Sequence, residues 1–147
     1  MIFQVKKFNE LATSELYDIL QLRSEVFVVE QDCVYQDLDG KDQKALHVIG
    51  SKEGKIIAYT RLFDGGQYFD TPSIGRVVVD ANERKYGYGH DLIKASIKAI
   101  YDAYENRTIT ISAQTYLIKF YSSHGFVITG EEYLEDGIPH IRMIKQP

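Results

Sequence analysis

Residues 73–80 read SIGRVVVD and residues 81–90 read ANERKYGYGH, and together they lead into an apolar-periodic run over residues 91–104. A β-branched strand that passes through a basic, glycine-bearing turn into a helix makes an anion-binding device. N–H groups left unpaired at a helix start converge on one spot, the helix dipole adds partial positive charge there, and glycines let a ligand approach the main chain. The stretch therefore predicts a phosphorylated ligand. A P-loop would need Gly, four residues, then Gly-Lys-Ser/Thr, a run the chain does not contain. A dinucleotide fingerprint would need a small residue three positions past Gly89, where Leu92 stands, and no second βαβ half is evident. A strand–helix connection that uses glycines only for tight geometry is the alternative reading of the turn.

Composition narrows the class further. At 147 residues with 44% hydrophobic content, residues 1–147 are expected to form one domain. A chain of that size buries roughly two thirds of its unfolded surface. A net charge of -4 with dispersed Lys and Arg argues against nucleic acid as a partner. The first residues, MIFQVKK, lack the apolar core of a signal peptide, and no later run approaches the ~20 apolar residues that span a bilayer. The expectation is a cytoplasmic protein with no membrane association. The single cysteine, Cys33, excludes an internal disulfide and a multi-cysteine zinc site, so no metal is expected.

Around the opening stretch the periodicities alternate between helix and strand. Residues 2–6 read as a strand, and Thr13 or Ser14 is placed to cap a helix whose Leu16, Ile19, Leu20, Val26 and Phe27 recur at helical spacing up to about Gln31. Residues 32–42 form a polar loop. Residues 45–51 and 55–62 are two strands joined through Lys52-Glu53-Gly54, and Asp64-Gly65-Gly66 ends the second. After a strand over residues 76–80, Leu92, Ile93, Ile97, Ile100 and Tyr104 give the next helix one apolar face, closed by Asn106. Residues 107–113 alternate as a strand and residues 116–123 form a short helix. Residues 127–133 and 138–144 then pair around Asp136-Gly137. The sum is a mixed α/β sheet.

Two motifs in this order carry a family resemblance. Arg84, Gly87 and Gly89, in an Arg-x-x-Gly-x-Gly pattern directly after an apolar strand, resemble motif A of the GNAT N-acetyltransferases, whose loop cradles the pyrophosphate of acetyl-CoA. FYSSHGF at residues 120–126 is similar to the element that follows the fifth strand in that family. Structure alone also accounts for the second motif, since Gly125 can end the short helix left-handed and Phe126 can anchor the returning strand. Residues 22–40 and 135–143 look like the first helix and loop and the closing hairpin of ElaA-type members. The resemblance implies an α/β (α+β) GNAT fold with a mixed, mostly antiparallel central sheet flanked by helices.

It further implies acetyl-CoA as co-substrate, held by Val77, Val78 and Val79 of a bulged fourth strand, by Arg84, Lys85, Tyr86, Gly87, Tyr88, Gly89 and His90, and by Gln114 and Tyr121. Gln114 stands where many members have Asn, and Leu117 where a small residue is common. The implied activity is acetyl transfer to a primary amine, small-molecule or protein, by direct attack in a ternary complex. A non-catalytic CoA-binding sensor or interaction module is the alternative, and the 11 tyrosines suit a homodimer edge as readily as a substrate pocket.

The chemistry constrains the remaining roles. An amine with a pKa near that of Lys, roughly 10.4, must lose a proton before it attacks a thioester. The oxyanion then needs preorganised N–H donors, which an irregular strand at Val77 to Val79 would offer, and the thiolate needs an acid, for which Tyr121 is the candidate. His140 and Glu30 are the candidate bases. Cys33 is a weaker candidate for an acyl-carrying nucleophile than for a small packing residue. Asp32, Asp37, Asp39 and Asp42 in the first loop, with Glu131, Glu132, Glu135 and Asp136 in the last hairpin, would favour a cationic acceptor if both border its site; solvated loop carboxylates are the alternative.

Overall fold

The computed structural model describes residues 1–147. Strand β1 (Ile2–Lys7) is followed by helix α1 (Thr13–Arg23), which continues as a π-helical turn over Ser24–Glu30. Strands β2 (Leu46–Lys52), β3 (Lys55–Phe63) and β4 (Ser73–Val79) precede helix α2 (Tyr88–Ala103) and strand β5 (Ile109–Gln114). The short helix α3 (Ile118–Ser122) leads to β6 (Val127–Ile128), β7 (Tyr133–Glu135) and β8 (Ile138–Lys145). These strands form one sheet in the order β1-β2-β3-β4-β5-β8-β6, with β7 also paired to β8. Every pair is antiparallel except β4 with β5.

Several boundaries differ from the sequence expectation for local reasons. Neither Thr13 nor Ser14 caps α1; the cap position is Ala12, whose N–H donates to Glu15 Oε1 at 2.8 Å. Lys6 pairs with the same carboxylate at 2.8 Å, and these two contacts, Lys6 first, hold the Glu15 carboxyl below its ordinary value. Helix α2 begins at Tyr88 because Gly87, at φ +74, turns the chain into it. The expected strand over residues 127–133 is two strands, since the chain turns at Gly130 with φ +83.

The sheet is covered on both faces. Leu92, Ile93 and Ile100 of α2 pack with Ala58, Leu62, Ile111 and Met143, and Tyr121 and Phe126 extend this cluster under α3. On the opposite face Ile19, Leu22, Val26 and Phe27 close over Ile49, Tyr59 and Val78. Because β3 has apolar cover on both sides, its sequence reads as a near-continuous apolar run rather than an alternation.

That run is interrupted by Arg61, and the interruption has a structural reason. Loop 32–42 folds back so that three carboxylates meet three guanidinium groups beneath it. Arg23 binds Asp37 at 2.9 Å and Asp42 at 2.8 Å, Arg61 binds Asp39 at 2.5 Å and Asp42 at 3.0 Å, and Arg76 binds Asp37 at 2.6 Å. Arg23 and Arg61 are each 1% exposed. His47 seats against the network, accepting the Tyr59 hydroxyl proton at Nδ1 (2.6 Å) and donating from Nε2 to the Asp42 carbonyl (2.9 Å). Asp37 and Asp42 are buried, and Asp37, Asp39 and Asp42 are each paired with an arginine, so these three are not free to attract a cationic acceptor, which corrects their reading from charge alone.

The network fixes how stability responds to acid. Burial would raise the Asp39 and Asp42 carboxyls, but hydrogen bonds and charges from Arg61, and from Arg23 at Asp42, outweigh it and hold both below the usual range. Burial, with the nearby arginines, pushes His47 down against the opposing pull of Asp42. A depressed carboxyl stabilises the fold above its ordinary value and loses that stabilisation as pH falls, while a histidine kept neutral in the fold is protonated first in the unfolded chain. Thermal stability is expected to decline from about pH 6.5 downward and more steeply below about pH 4. A melting temperature that rises between pH 7 and pH 5 would contradict this account.

Candidate functional site

The only parallel contact in the sheet is also its weakest seam. Strands β4 and β5 share a single registered pair, Ser73 with Thr110, tied further by Thr110 N–H to the Pro72 carbonyl at 2.9 Å. Past that point they part. The cause lies in β4: Tyr59 faces Val78 but Arg61 faces Gly75, so Arg76 and Val77 together oppose Thr60. This bulge puts Arg76 at φ +50, in the left-handed region, and the extra twist turns β4 away from β5.

Two cavities that share a wall occupy the gap. The larger, about 430 Å3, is lined by Val77, Val78, Val79, Arg84, Gly87, Gly89, His90, Gln114 and Tyr121 among the residues expected from sequence. The smaller, about 110 Å3, reaches Ser112, Glu135, Asp136 and His140. Phe27, Gln31, Val77, Gln114, Leu117 and Tyr121 line both, so the two make one cleft with Tyr121 at the junction.

The wide end holds the glycine turn. Asp80 accepts the Asn82 N–H at 2.9 Å and starts a 3-10 turn over Ala81–Tyr86; Gly87 then reverses the chain into α2. The His90 N–H bonds the Gly87 carbonyl at 3.1 Å, which leaves the amides of Tyr88 and Gly89 at the head of the helix. A Cβ on Gly89 would meet only the Phe120 ring, at 3.5 Å. Lys85, Tyr86 and Tyr88 do not line the cavity: the Tyr86 and Tyr88 rings lie 5.5 Å apart, with Lys52 over Tyr86 at 4.2 Å and Lys85 over it at 5.2 Å. Arg84 reaches back, donating from Nε to the Val79 carbonyl at 3.1 Å and gripping Glu30 with both terminal nitrogens at 2.6 and 2.9 Å. His90 Nδ1 lies 2.9 Å from His124 Nε2, and burial, then His90, Lys94 and Lys145, push the His124 ring below its ordinary value.

At the junction Tyr121 is 5% exposed, its ring edge-on to Phe120 and Phe126. Burial, with the nearby Tyr116, pushes its phenol well above the ordinary value, so it stays protonated at neutral pH. Gly125 ends α3 at φ +92 and Phe126 is buried, as expected. At the narrow end His140 Nδ1 donates to the Ile138 carbonyl at 2.7 Å, and its Nε2 lies 3.3 Å from Glu135 Oε2. Ser112 donates to Glu135 Oε1 at 3.2 Å and is itself bonded to the Tyr133 hydroxyl. The geometry thus brings His140 and Tyr121 to one cleft and sets Glu30 at the opposite end against Arg84. Cys33 lines the narrow end, its thiol directed at the Asp136 carbonyl at 3.4 Å.

Residues 10–147 match the profile of the acetyltransferase (GNAT) domain. The chain belongs to the GNAT family. Among GNAT proteins it is similar to ElaA of Escherichia coli, 39% identical over 140 residues that cover 94% of this chain and 92% of ElaA. The crystal structure of E. coli ElaA superposes with a TM-score of 0.92 at 36% identity, covering 99% of this chain and 100% of ElaA. An acyl-CoA N-acyltransferase from Pseudomonas aeruginosa superposes at 0.93 with 39% identity, covering 99% and 100% of the two chains. The GNAT fold, with its mostly antiparallel mixed sheet, is the expected one, and the protein is an acyltransferase. A more distant GNAT neighbour, an aminoglycoside 6'-N-acetyltransferase at 16% identity and a TM-score of 0.72, was solved with coenzyme A bound. No helix of this GNAT protein is long and apolar enough to cross a membrane.

Proposed function

We propose that the protein transfers the acetyl group of acetyl-CoA to a primary amine by direct attack in a ternary complex, with residues 1–147 acting as one domain. The observation that carries this reading is the continuous cleft: a helix-start anion site at one end, a protonated Tyr121 at the junction, and a histidine–carboxylate pair at the other. The glycine turn with its Tyr88 and Gly89 amides takes the pyrophosphate, and Arg84 supplies charge on leaving Glu30. The pantetheine arm lies along Val77, Val78, Val79 and Gln114. The Asp80 N–H bonds the Ile57 carbonyl at 2.8 Å, so by alternation the Val79 amide is directed away from β3 toward the cleft. It joins the N–H groups released around the bulge as a donor for the oxyanion. Tyr121 protonates the departing thiolate and His140 is the base. Glu30, paired with Arg84 at the phosphate end, is a gate for the cofactor rather than the amine's base.

The test is calorimetry with acetyl-CoA on wild type and Gly89→Glu. Position 89 has a φ outside the left-handed range and room for a Cβ, so the substitution is expected to fold. It sets a carboxylate where the pyrophosphate would sit, and affinity should fall at least about a hundredfold, the scale of several kcal/mol of like-charge contact. Wild type that does not bind acetyl-CoA would sink the proposal.

A further inference from the structure

We propose that Glu135 receives the ammonium group of the acceptor, and that the acceptor presents it on an unbranched aminoalkyl chain. The inference rests on the N-acetyltransferase reading and names the residue and substrate class of its narrow end.

Charge comes first. The charges of the arginines flanking this end are already paired, Arg76 with Asp37 and Arg61 with Asp39 and Asp42. Glu135 has no lysine or arginine partner; the one ionisable side chain it meets is His140, at 3.3 Å. Asp136 lines the same cavity but sits exposed at the turn apex at φ +51, with no side-chain hydrogen bond to orient it. Glu135, by contrast, is held by Ser112 at one oxygen and faces the His140 ring at the other. It is the half-buried, oriented and uncompensated anion of the cleft.

Protons come second. His140 donates from Nδ1 to the Ile138 carbonyl, an atom that can only accept, so its Nε2 lone pair confronts the Glu135 carboxylate unless a proton lies between them. With that nitrogen unprotonated the pair can take one proton, and an ammonium docked on Glu135 stands beside it. Of the two protons the nitrogen sheds, one enters this pair before attack. The free amine then forms the C–N bond to the acetyl carbon, the C–S bond breaks, and sulfur takes its proton from Tyr121. The second nitrogen proton leaves the amide product and restores the tyrosine.

Size comes third. A cavity of about 110 Å3 holds roughly four water-sized groups. Phe27, Tyr35, Ile111 and Ile138 wall it. That space suits an ammonium and a few methylenes better than an amine on a ring carbon.

The experiment measures thiol release from acetyl-CoA with n-butylamine, Nα-acetyllysine amide and cyclohexylamine, beside calorimetry of acetyl-CoA binding, for wild type, Glu135→Gln and Glu135→Asp. Glutamine keeps the Ser112 bond and removes the charge. The expected result is turnover of the two linear amines, at least tenfold poorer turnover of cyclohexylamine, and a loss of about ten- to a hundredfold in kcat/KM for Glu135→Gln. Glu135→Asp should recover part of the loss, and acetyl-CoA affinity should not change. Full activity of Glu135→Gln on n-butylamine would overturn the inference and leave the acetyltransferase standing. Acetyl-CoA binding with no turnover of either linear amine would overturn the substrate class. Failure to bind acetyl-CoA would remove both.

Discussion

Tyr121→Phe is expected to lower kcat by about a hundred- to ten-thousandfold, the usual contribution of a positioned general acid, with acetyl-CoA affinity nearly unchanged. The substitution removes one hydroxyl and nothing else. The ring is fixed by edge-on contacts with Phe120 at 5.1 Å and Phe126 at 5.9 Å, and a phenylalanine keeps both. What disappears is a hydroxyl that burial keeps protonated, at the point where the two cavities meet. A loss confined to kcat identifies an interaction made in the transition state, whereas a rise in KM alone would identify ordinary binding. Stopped-flow thiol release separates the two, and an unaltered kcat would assign protonation of the thiolate to water.

Arg61→Met should destabilise the fold by about 3–5 kcal/mol, as expected when one member of a buried ionic network is removed and its partners remain. For a chain of this size that corresponds to a fall of roughly 6–20 °C in Tm. Asp42 would keep Arg23, but Asp39 would lose its 2.5 Å partner, and the loop over the cleft would lose its tie to β3. The loss reflects the charges left behind more than the worth of the pairs themselves. Equilibrium urea unfolding tests it; a change below about 1 kcal/mol would mean that water reaches the network.

The contrast between what the sequence discloses and what it hides follows sequence distance. The β2–β3 hairpin is readable to within one residue at each end because its turn, Glu53 at φ +54 and Gly54 at φ +80, is a local requirement. The glycine turn before α2 is local in the same sense, and so is Gly125. The bulge is not, since it exists only in the register of β4 against β3. Nor is the ionic network, whose partners lie 14 to 39 residues apart. A signal was nonetheless available. Arg23 falls four residues after Ile19 on the apolar face of α1, and Arg61 interrupts an apolar strand, and a cation in either place needs a buried anion. The pairing of Glu30 with Arg84 left no comparable trace, because it joins segments that meet only once the sheet is assembled; Glu135 and His140 face each other across the Asp136-Gly137 turn, so that contact lay within reach of the hairpin's own register.

The parting of β4 from β5 has a bearing on solubility. A strand edge without a partner is a row of free N–H and C=O groups that can capture a strand from another molecule, and this sheet carries two such edges within its body. The kink at Arg76 interrupts the donor row on one of them, the guanidinium there sets a charge beside it, and β5 offers only 6 residues on the other. The irregularity that opens the cleft is therefore also what keeps its edges from a neighbouring chain, and straightening β4 would invite aggregation as surely as it would close the cleft.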